Sequence, residues 1–229
     1  MNLIETTETP LGDALLGRRA YHATPLHYLP SILADQALYA KDVLAVRGIT
    51  PRQTAVRRDR MLNLGCYVHF SLRRETPLLM DKLRKGYPHV VLVFDAAGLV
   101  NIPGACLLSG NTKAWRSKSA LRPQPWADTD GANALIGREV QGRLGSLEIL
   151  IKYAVDFDRL LCVLFSSEEE LAMIDSLVQV LGMECPAPLV YRPIAGVAQH
   201  PESVGRIAEY LDACASARAV LRPPCLRFD

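Results

Sequence analysis

The sequence predicts a mixed α+β fold built around one core. Five short runs rich in β-branched and aromatic residues lie near positions 20, 67, 90, 149 and 162, and helical patterns stand between and after them. Apolar residues make up 49% of the chain and charged residues 22%, which allows a buried core and argues against disorder. The length of 229 residues lies within the range of α/β folds that have a single core.

The first part of the chain reads as strand, turn and helix. Residues 1–19 form a polar lead-in, and residues 20–24 (AYHAT) are typical of a short strand. Apolar residues at helical spacing follow over 26–38, and Pro30 suits the first helical turn, where its missing N–H costs little. The arginine-rich stretch 40–63 predicts a long loop or short helical pieces.

The centre of the chain predicts two strands joined by a helix. Residues 66–72 (CYVHFSL) alternate as a half-buried strand does, and 89–94 (HVVLVF) is an apolar run typical of a strand buried on both faces. Between them, 76–84 predicts an amphipathic helix whose inward residues are Leu78, Leu79 and Leu83.

The second half predicts loops, two strands and two helices. Small residues and prolines accumulate over 104–130 and predict loops around Trp115 and Trp126. The helix predicted over 168–181 has Ser166 or Ser167 as its N-cap. The remaining segments are strands at 146–154 (SLEILIKYA) and 160–165 (LLCVLF), a linker or edge strand at 186–193, and a helix at 204–220.

Composition excludes several classes of protein. The first residues lack the basic start and apolar run of a secretory signal, and no apolar stretch approaches the roughly 18 residues that span a bilayer. We therefore expect a cytoplasmic protein without a membrane segment. The six cysteines are scattered without a CxxC pair or a histidine at zinc-ligand spacing, which predicts reduced thiols and no metal site.

Charge is distributed unevenly along the chain. Residues 41–130 hold fifteen Lys or Arg against seven Asp or Glu, although the net charge of the whole chain is only +2. This excess is consistent either with a surface that binds phosphate groups or with a solvated loop and helix face. The residues concerned are Arg52, Arg57, Arg58, Arg60, Arg73 and Arg74.

Two further features carry candidate chemistry. His22 and Thr24 close the first strand just before a helix, where a single histidine is otherwise most often a satisfied core residue. Glu148 lies within an apolar run, on the strand face opposite that of Leu147 and Ile149. Glu148 therefore either forms a surface pair with Lys152 or points into a cleft, where a carboxylate can meet a developing positive charge.

Taken in order, these motifs resemble the DarT-type DNA ADP-ribosyltransferases. Residues 21–33 (YHATPLHYLPSIL) are similar to the opening His-x-Thr element and helix of that family, and 64–80 (LGCYVHFSLRRETPLLM) are similar to its central strand. Residues 147–152 (LEILIK) resemble its glutamate-bearing strand. The chain departs from the family pattern at 68–71 and 76–78, and the resemblance covers about residues 20–165.

The resemblance implies a fold, an activity and a set of site residues. The fold would be a mixed central sheet split around an NAD cleft, with a lead-in at 1–19, a catalytic domain at 20–167 and a helical extension at 168–229. The activity would be NAD-dependent ADP-ribosylation of a base of single-stranded nucleic acid, with DNA favoured over RNA, by a toxin that has a neutralising antitoxin partner. By resemblance the catalytic residues are Glu148 and Arg52, the NAD-binding residues are His22, Thr24 and Tyr67, and the nucleic-acid-binding residues are Arg57, Arg58, Arg60, Arg73 and Arg74.

Other functions remain open at this stage. The chain could transfer ADP-ribose to protein, or act on an RNA 2′-phosphate, which is the reaction of another NAD-using relative with a similar opening motif. A binding module that keeps the cleft without catalysis is a further alternative. Among the loop arginines, Arg47 also precedes the central strand. Register alone favours Arg52 as the catalytic one, with Arg57 or Arg58 as the next alternatives.

Overall fold

The computed structural model describes residues 10–49, 64–108 and 147–194, together with Ala134 and Gly137. The strands run over Arg19–Pro25 (β1), Ala37–Tyr39 (β2), Tyr67–Ser71 (β3), His89–Asp95 (β4), Cys106–Leu108 (β5), Glu148–Lys152 (β6), Ala154–Asp156 (β7), Leu160–Phe165 (β8) and Leu189–Tyr191 (β9). The α-helices run over Pro10–Ala14 (α1), Leu29–Asp35 (α2), Lys41–Val46 (α3), Pro77–Arg84 (α4), Ala96–Val100 (α5) and Glu168–Leu181 (α6), with 3-10 turns at Leu26–Tyr28 and Phe157–Arg159.

One mixed sheet organises the described part of the chain. Its strands follow the order β5-β6-β3-β1-β4-β8-β9, and β2 and β7 form a separate two-stranded ladder. All neighbours in the large sheet are antiparallel except β8 and β9, which are parallel. The predicted α+β class with a mixed central sheet is therefore confirmed. Because β9 belongs to this sheet, the chain beyond residue 167 contributes a strand to it.

The sheet splits between β1 and β3. β1 pairs with β4 at seven positions, from Arg19 opposite Asp95 to Pro25 opposite His89. It pairs with β3 only where Tyr21 lies opposite Ser71, whereas β3 pairs with β6 at five positions. The backbone pairing between the two halves of the sheet therefore stops beyond Tyr21, and we call the unpaired stretch between β1 and β3 the crevice.

Apolar side chains cover both faces of the sheet. On one face, Leu92 and Phe94 of β4 join the main core, against which Ile174 and Val178 of α6 pack. On the other face, Leu79 and Leu83 of α4 pack against Val91 and Val93 of β4 and Leu164 of β8. Residues of β4 alternate between the two clusters, which explains why its sequence is continuously apolar.

Several predicted boundaries were wrong for identifiable reasons. The helix predicted over 26–38 ends at Asp35, because Gln36 takes a left-handed φ of 52° and Leu38 enters β2. Leu78 was predicted to point inward but is 54% exposed, since the buried stripe of α4 consists of Leu79 and Leu83, four residues apart. The strand predicted over 146–154 is interrupted by Tyr153, whose φ is 66°.

Two elements were not predicted, and other predictions fall outside the described residues. Helix α5 and strand β5 were not predicted, and β5 lies at the start of the stretch predicted as loops. The helix predicted at 204–220, both tryptophans, and Cys214 and Cys225 lie outside the described residues. The four cysteines that are described are free thiols. No helix in the described ranges has the length and apolar character needed to cross a membrane.

The N-cap of α4 gives a first testable prediction. The Thr76 side chain accepts a hydrogen bond from the Leu79 backbone N–H at 3.3 Å, satisfying one donor in the first helical turn. We expect Thr76→Ala to lower the free energy of unfolding by about 1 kcal/mol. Urea denaturation measures this change, and Thr76→Ser should remain close to the parent because it keeps the hydroxyl. Equal stability of the alanine and serine variants would contradict the capping role.

Candidate functional site

His22 bridges the crevice where the sheet splits. Its Nδ1 lies 2.8 Å from the backbone carbonyl oxygen of His69 in β3. A carbonyl can only accept, so Nδ1 carries the proton and donates. The side chain thus replaces the backbone pairing that β1 and β3 no longer make beyond Tyr21. The structure therefore places His22 at the point where the pairing of β1 with β3 ends.

The electrostatic state of His22 follows from this position. Burial lowers its pKa from 6.5 to about 4, against the opposing effect of the hydrogen bond to His69. The imidazole is therefore neutral at pH 7. With the proton held at Nδ1, its Nε2 is left as a hydrogen-bond acceptor. Because the folded pKa is lowered, His22 contributes stability above about pH 6.5, and this contribution is lost as the pH falls toward 4.

Glu148 lies at the start of β6, opposite Ser71 of β3. Its side chain is 13% exposed, and one carboxylate oxygen, Oε2, lies 3.6 Å from Nδ1 of His69. The adjacent Leu147 and Ile149 are fully buried in the main core, and Leu150, on the side of Glu148, is also fully buried. The interpretation of Glu148 and Lys152 as a solvent-exposed pair is therefore wrong, because the strand face that carries Glu148 is largely covered.

His69 connects the two predicted residues and was not itself predicted as part of the site. Its backbone carbonyl accepts from His22, and its ring faces the carboxylate of Glu148. The alternation of β3 could have indicated His69, because His69 lies on the same strand face as Tyr67 and Ser71. That face meets Glu148 only through the register between β3 and β6, which a single sequence does not reveal.

Two polar atoms at this position lack partners. Oε2 of Glu148 and Nε2 of His69 are buried and have no hydrogen-bond partner among the described residues. Leaving a buried polar group unpaired costs about 1–3 kcal/mol, and such groups in native proteins commonly mark a bound ligand or functional site. The pair offers a carboxylate acceptor beside an imidazole nitrogen. That combination suits a ligand with hydroxyl groups, such as a ribose.

Thr24 and Tyr67 lie on the two strands that border the crevice. Thr24 is 6% exposed and is paired with Val90 in the register of β1 and β4. Tyr67 packs on the small apolar cluster of Leu64, Cys106 and Leu150. Burial is the main cause that raises the pKa of the Tyr67 phenol, so the group stays protonated at neutral pH. Both residues therefore present neutral hydroxyl groups.

The predicted arginines fall into two groups. Arg52, Arg57, Arg58 and Arg60 lie outside the described residues. Arg73 and Arg74 follow β3, and the Arg73 backbone N–H donates to the Ser71 hydroxyl at 3.0 Å.

Arg47 and Phe70 have structural roles. Arg47 forms hydrogen bonds to both carboxylate oxygens of Asp35, at 2.8 and 3.3 Å, and its guanidinium lies over the Tyr39 ring. Phe70 is 1% exposed and contacts the rings of His22 and Phe94, so its place is in the core. Among the described residues, no group of three or more His, Cys, Asp or Glu side chains could hold a metal ion.

Solved structures share this architecture. Thermus sp. 2.9 DarT in complex with NAD⁺ matches with a TM-score of 0.50 and 18% identity, over 76% of this chain and 94% of that one. The same Thermus protein in complex with ADP-ribosylated ssDNA matches with a TM-score of 0.56 and 17% identity, over 75% and 93% of the two chains. Thermosipho africanus DarTG in complex with ADP-ribose gives 0.58 and 13%, over 77% of this chain and 50% of that one.

These likenesses show that the chain has the fold of DarT. The identities are low, and neither a protein-family model nor a curated protein matches the sequence. The resemblance predicted from the sequence motifs is thus confirmed at the level of the fold.

Proposed function

We propose that this chain is an NAD-dependent ADP-ribosyltransferase that modifies a base of single-stranded nucleic acid, with DNA favoured over RNA. The observation that carries the proposal is the Glu148 carboxylate, whose buried Oε2 has no hydrogen-bond partner among the described residues and lies 3.6 Å from Nδ1 of His69. The DarT fold supports it, because the two Thermus structures hold NAD⁺ and ADP-ribosylated ssDNA.

Glu148 would act on the ribose next to nicotinamide. Breaking the bond between them develops positive charge on the sugar, as in glycoside hydrolysis. A carboxylate held in a largely buried position stabilises such charge more strongly than one in water. His69 would orient this carboxylate through the contact between Nδ1 and Oε2. Because Oε2 has no hydrogen-bond partner in the described part of the chain, it can accept a hydrogen bond from a ribose hydroxyl.

His22, Thr24 and Tyr67 would hold NAD. His22 is neutral and offers Nε2 as an acceptor, while its Nδ1 is fixed on the carbonyl of His69. Thr24 and Tyr67 offer hydroxyl groups from the strands on either side of the crevice. Neutral groups suit the nicotinamide and ribose part of the molecule, whereas its phosphates need cationic partners.

Arginines would serve the remaining parts of the reaction. We assign Arg52 to orient the phosphates of NAD and to activate the acceptor base, following the family resemblance. Arg57, Arg58, Arg60, Arg73 and Arg74 would contact the backbone of the acceptor strand, which must present its base outside a duplex stack.

An enzyme that modifies its own cell's DNA is toxic there. We therefore propose that the chain acts in the cytoplasm as the toxin of a toxin-antitoxin or phage-defence pair, with a neutralising antitoxin as its partner. Co-expression tests this role: growth should stop when the chain is produced alone and recover when its genomic neighbour is produced with it. Normal growth on production of the active chain alone would contradict it.

Labelled NAD tests the proposed reaction directly. The protein is incubated with NAD and a panel of single-stranded DNA and RNA oligomers, and the products are mapped by mass spectrometry. We expect nicotinamide release and an ADP-ribose adduct on a base of a DNA oligomer. An adduct only on protein or on an RNA 2′-phosphate would replace the proposed acceptor, and binding without nicotinamide release would indicate a non-catalytic module.

His22 provides a test of NAD binding. In His22→Asn the side-chain amide can still donate to the carbonyl of His69, but the acceptor at Nε2 is lost. We expect this variant to fold and to bind NAD about fivefold more weakly, since one hydrogen bond contributes about 1 kcal/mol. Calorimetric titration measures the affinity, and thermal unfolding checks the fold. Unchanged affinity for NAD would remove His22 from the binding site.

A further inference from the structure

A cavity with a mixed polar and apolar lining lies on this chain, and Glu148 is not among its lining residues. It measures about 240 Å³ including its open mouth, and it is formed by α4, β4, the end of β8 and the residues after β9. Its apolar lining includes Leu83, Val91 and Leu164, and its polar lining includes Arg74, Ser166 and Arg192. We call it the arginine cavity. Two guanidinium groups and a hydroxyl favour an anion as its occupant.

Arg74 is held in place with one part of its guanidinium unsatisfied. Its Nη2 donates to the carboxylate of Glu75 and lies 3.5 Å from the carbonyl oxygen of Pro193. Its Nη1 is buried and has no hydrogen-bond partner among the described residues. The side chain is only 18% exposed, so water reaches it poorly. A charged donor left unpaired in this position indicates that an acceptor binds beside it.

Arg192 adds a second positive charge. Its backbone N–H donates to the carbonyl oxygen of Phe165 at 2.8 Å, which fixes the start of the side chain beside the end of β8. Together with Arg19, its charge opposes the rise that burial causes in the pKa of Cys162. The charge of Glu75 offsets that of Arg74, so Arg192 supplies the net positive charge of the cavity.

The arginine cavity is linked to the candidate active site by a short turn. Arg74 lies three residues after Ser71, which is paired both with Glu148 and with Tyr21. Tyr21 packs against the apolar cluster of α4, β4 and β8 whose Leu83, Val91 and Leu164 line the cavity. The cavity therefore lies on the same face of the sheet as Tyr21. A short turn connects its Arg74 to Ser71, the residue paired with Glu148.

We propose that the arginine cavity binds a backbone phosphate of the single-stranded acceptor, a step that rests on the proposed function. A phosphate held there positions the strand relative to Glu148 without reading its sequence. Arg192 thus joins Arg74 as a backbone contact.

Oligonucleotide binding without NAD tests this site. Arg192→Gln is compared with Arg159→Gln, which removes the same charge from the turn that precedes β8, where Arg159 pairs with Asp156. Anisotropy of a labelled ten-nucleotide thymidine strand is measured over a series of salt concentrations. We expect Arg192→Gln to weaken binding about tenfold and to reduce the salt slope by about one, as loss of one phosphate contact does. Binding and slope equal to those of Arg159→Gln would overturn the proposal.

Competition with inorganic phosphate tests whether a phosphate of the strand occupies the cavity. Inorganic phosphate is added to the complexes of the strand with the parent protein and with Arg192→Gln, and potassium chloride of the same ionic strength serves as the control. Displacement beyond that by chloride in the parent, and its loss in Arg192→Gln, would support a strand phosphate in the cavity. Displacement equal to that by chloride in both proteins would overturn this assignment.

Failure of this inference can be separated from failure of the proposed function. Nicotinamide release from NAD by the parent protein is measured independently of strand binding. Release by the parent, with Arg192→Gln binding the strand normally, would refute the arginine cavity alone. Absence of release, with strand binding that depends on Arg192, would refute the transferase and leave the phosphate site standing.

Discussion

Glu148→Gln is expected to reduce nicotinamide release and ADP-ribose transfer by about a hundred- to a thousandfold, the usual effect of losing a preorganised electrostatic group. Glutamine keeps the shape of the side chain and one acceptor oxygen but removes the negative charge. Because that charge is largely buried beside His69, it is the group best placed to stabilise positive charge on the ribose. The rate of nicotinamide release, followed with labelled NAD, measures the loss.

The control for this variant separates catalysis from folding. Glu184→Gln removes the same charge from an exposed position and should leave the rate unchanged. The Glu148→Gln protein should unfold at or above the parent's midpoint, because replacing a buried charged group by a neutral one of equal shape removes a desolvation cost. Parent-like nicotinamide release by Glu148→Gln would exclude this carboxylate from the reaction, whatever the fold.

Long, strongly patterned segments were predicted well from the sequence. The continuous apolar run at 89–94 predicted a strand covered on both sides, and the structure places a cluster on each face. The N-cap Ser167 and the helix that follows it were also confirmed. Such segments can be predicted from the local sequence alone, because their buried positions recur with the period of the helix or strand.

Short elements depend on contacts that the local sequence does not contain. Leu38 continues a helical pattern but lies in β2, whose partner β7 is more than a hundred residues away. β5 has three residues and exists because it pairs with β6. Tyr153 interrupts its strand through a left-handed backbone that tyrosine rarely adopts. Tertiary pairing determined each of these local conformations.

Only part of the candidate site was predicted, because its geometry also depends on tertiary pairing. Alternation showed which face of β6 carries Glu148, but it did not show whether that face was solvent or protein. Side chains from the neighbouring strands settled this, since Cys106 and Tyr67 pack beside Leu150 and His69 lies against Glu148. His69 was missed because its role depends on the split of the sheet and on its pairing partner, both of which are properties of the fold.

Glu170 provides a second large effect, on stability. It lies in the first turn of α6, is 5% exposed, and its Oε2 has no hydrogen-bond partner among the described residues. Burial, followed by the charge of Glu169, raises its pKa from 4.5 to about 7. The helix dipole favours a negative charge here, but that gain is only about 0.3–1 kcal/mol, so burial dominates.

The raised pKa fixes the sign of a pH dependence. Between pH 4.5 and about 7 the folded protein binds more protons at Glu170 than the unfolded chain does, so its contribution to stability falls as the pH rises through this window. We expect Glu170→Gln to match the parent near pH 4.5 and to exceed it by about 3 kcal/mol above pH 7. Urea denaturation of both proteins over this pH range measures the difference.

Glu169→Gln is the matched control because it changes the neighbouring acid of the same turn. Its side chain accepts a hydrogen bond from Ser167, which lowers its pKa, the opposite direction to Glu170. Since burial is the larger cause at Glu170, most of the parent's pH dependence should persist in Glu169→Gln. The stability difference between Glu170→Gln and the parent could instead stay constant from pH 4.5 to 7.5. That result would mean that Glu170 does not change its protonation on unfolding. The first turn of α6 would then hold the Glu170 carboxylate charged.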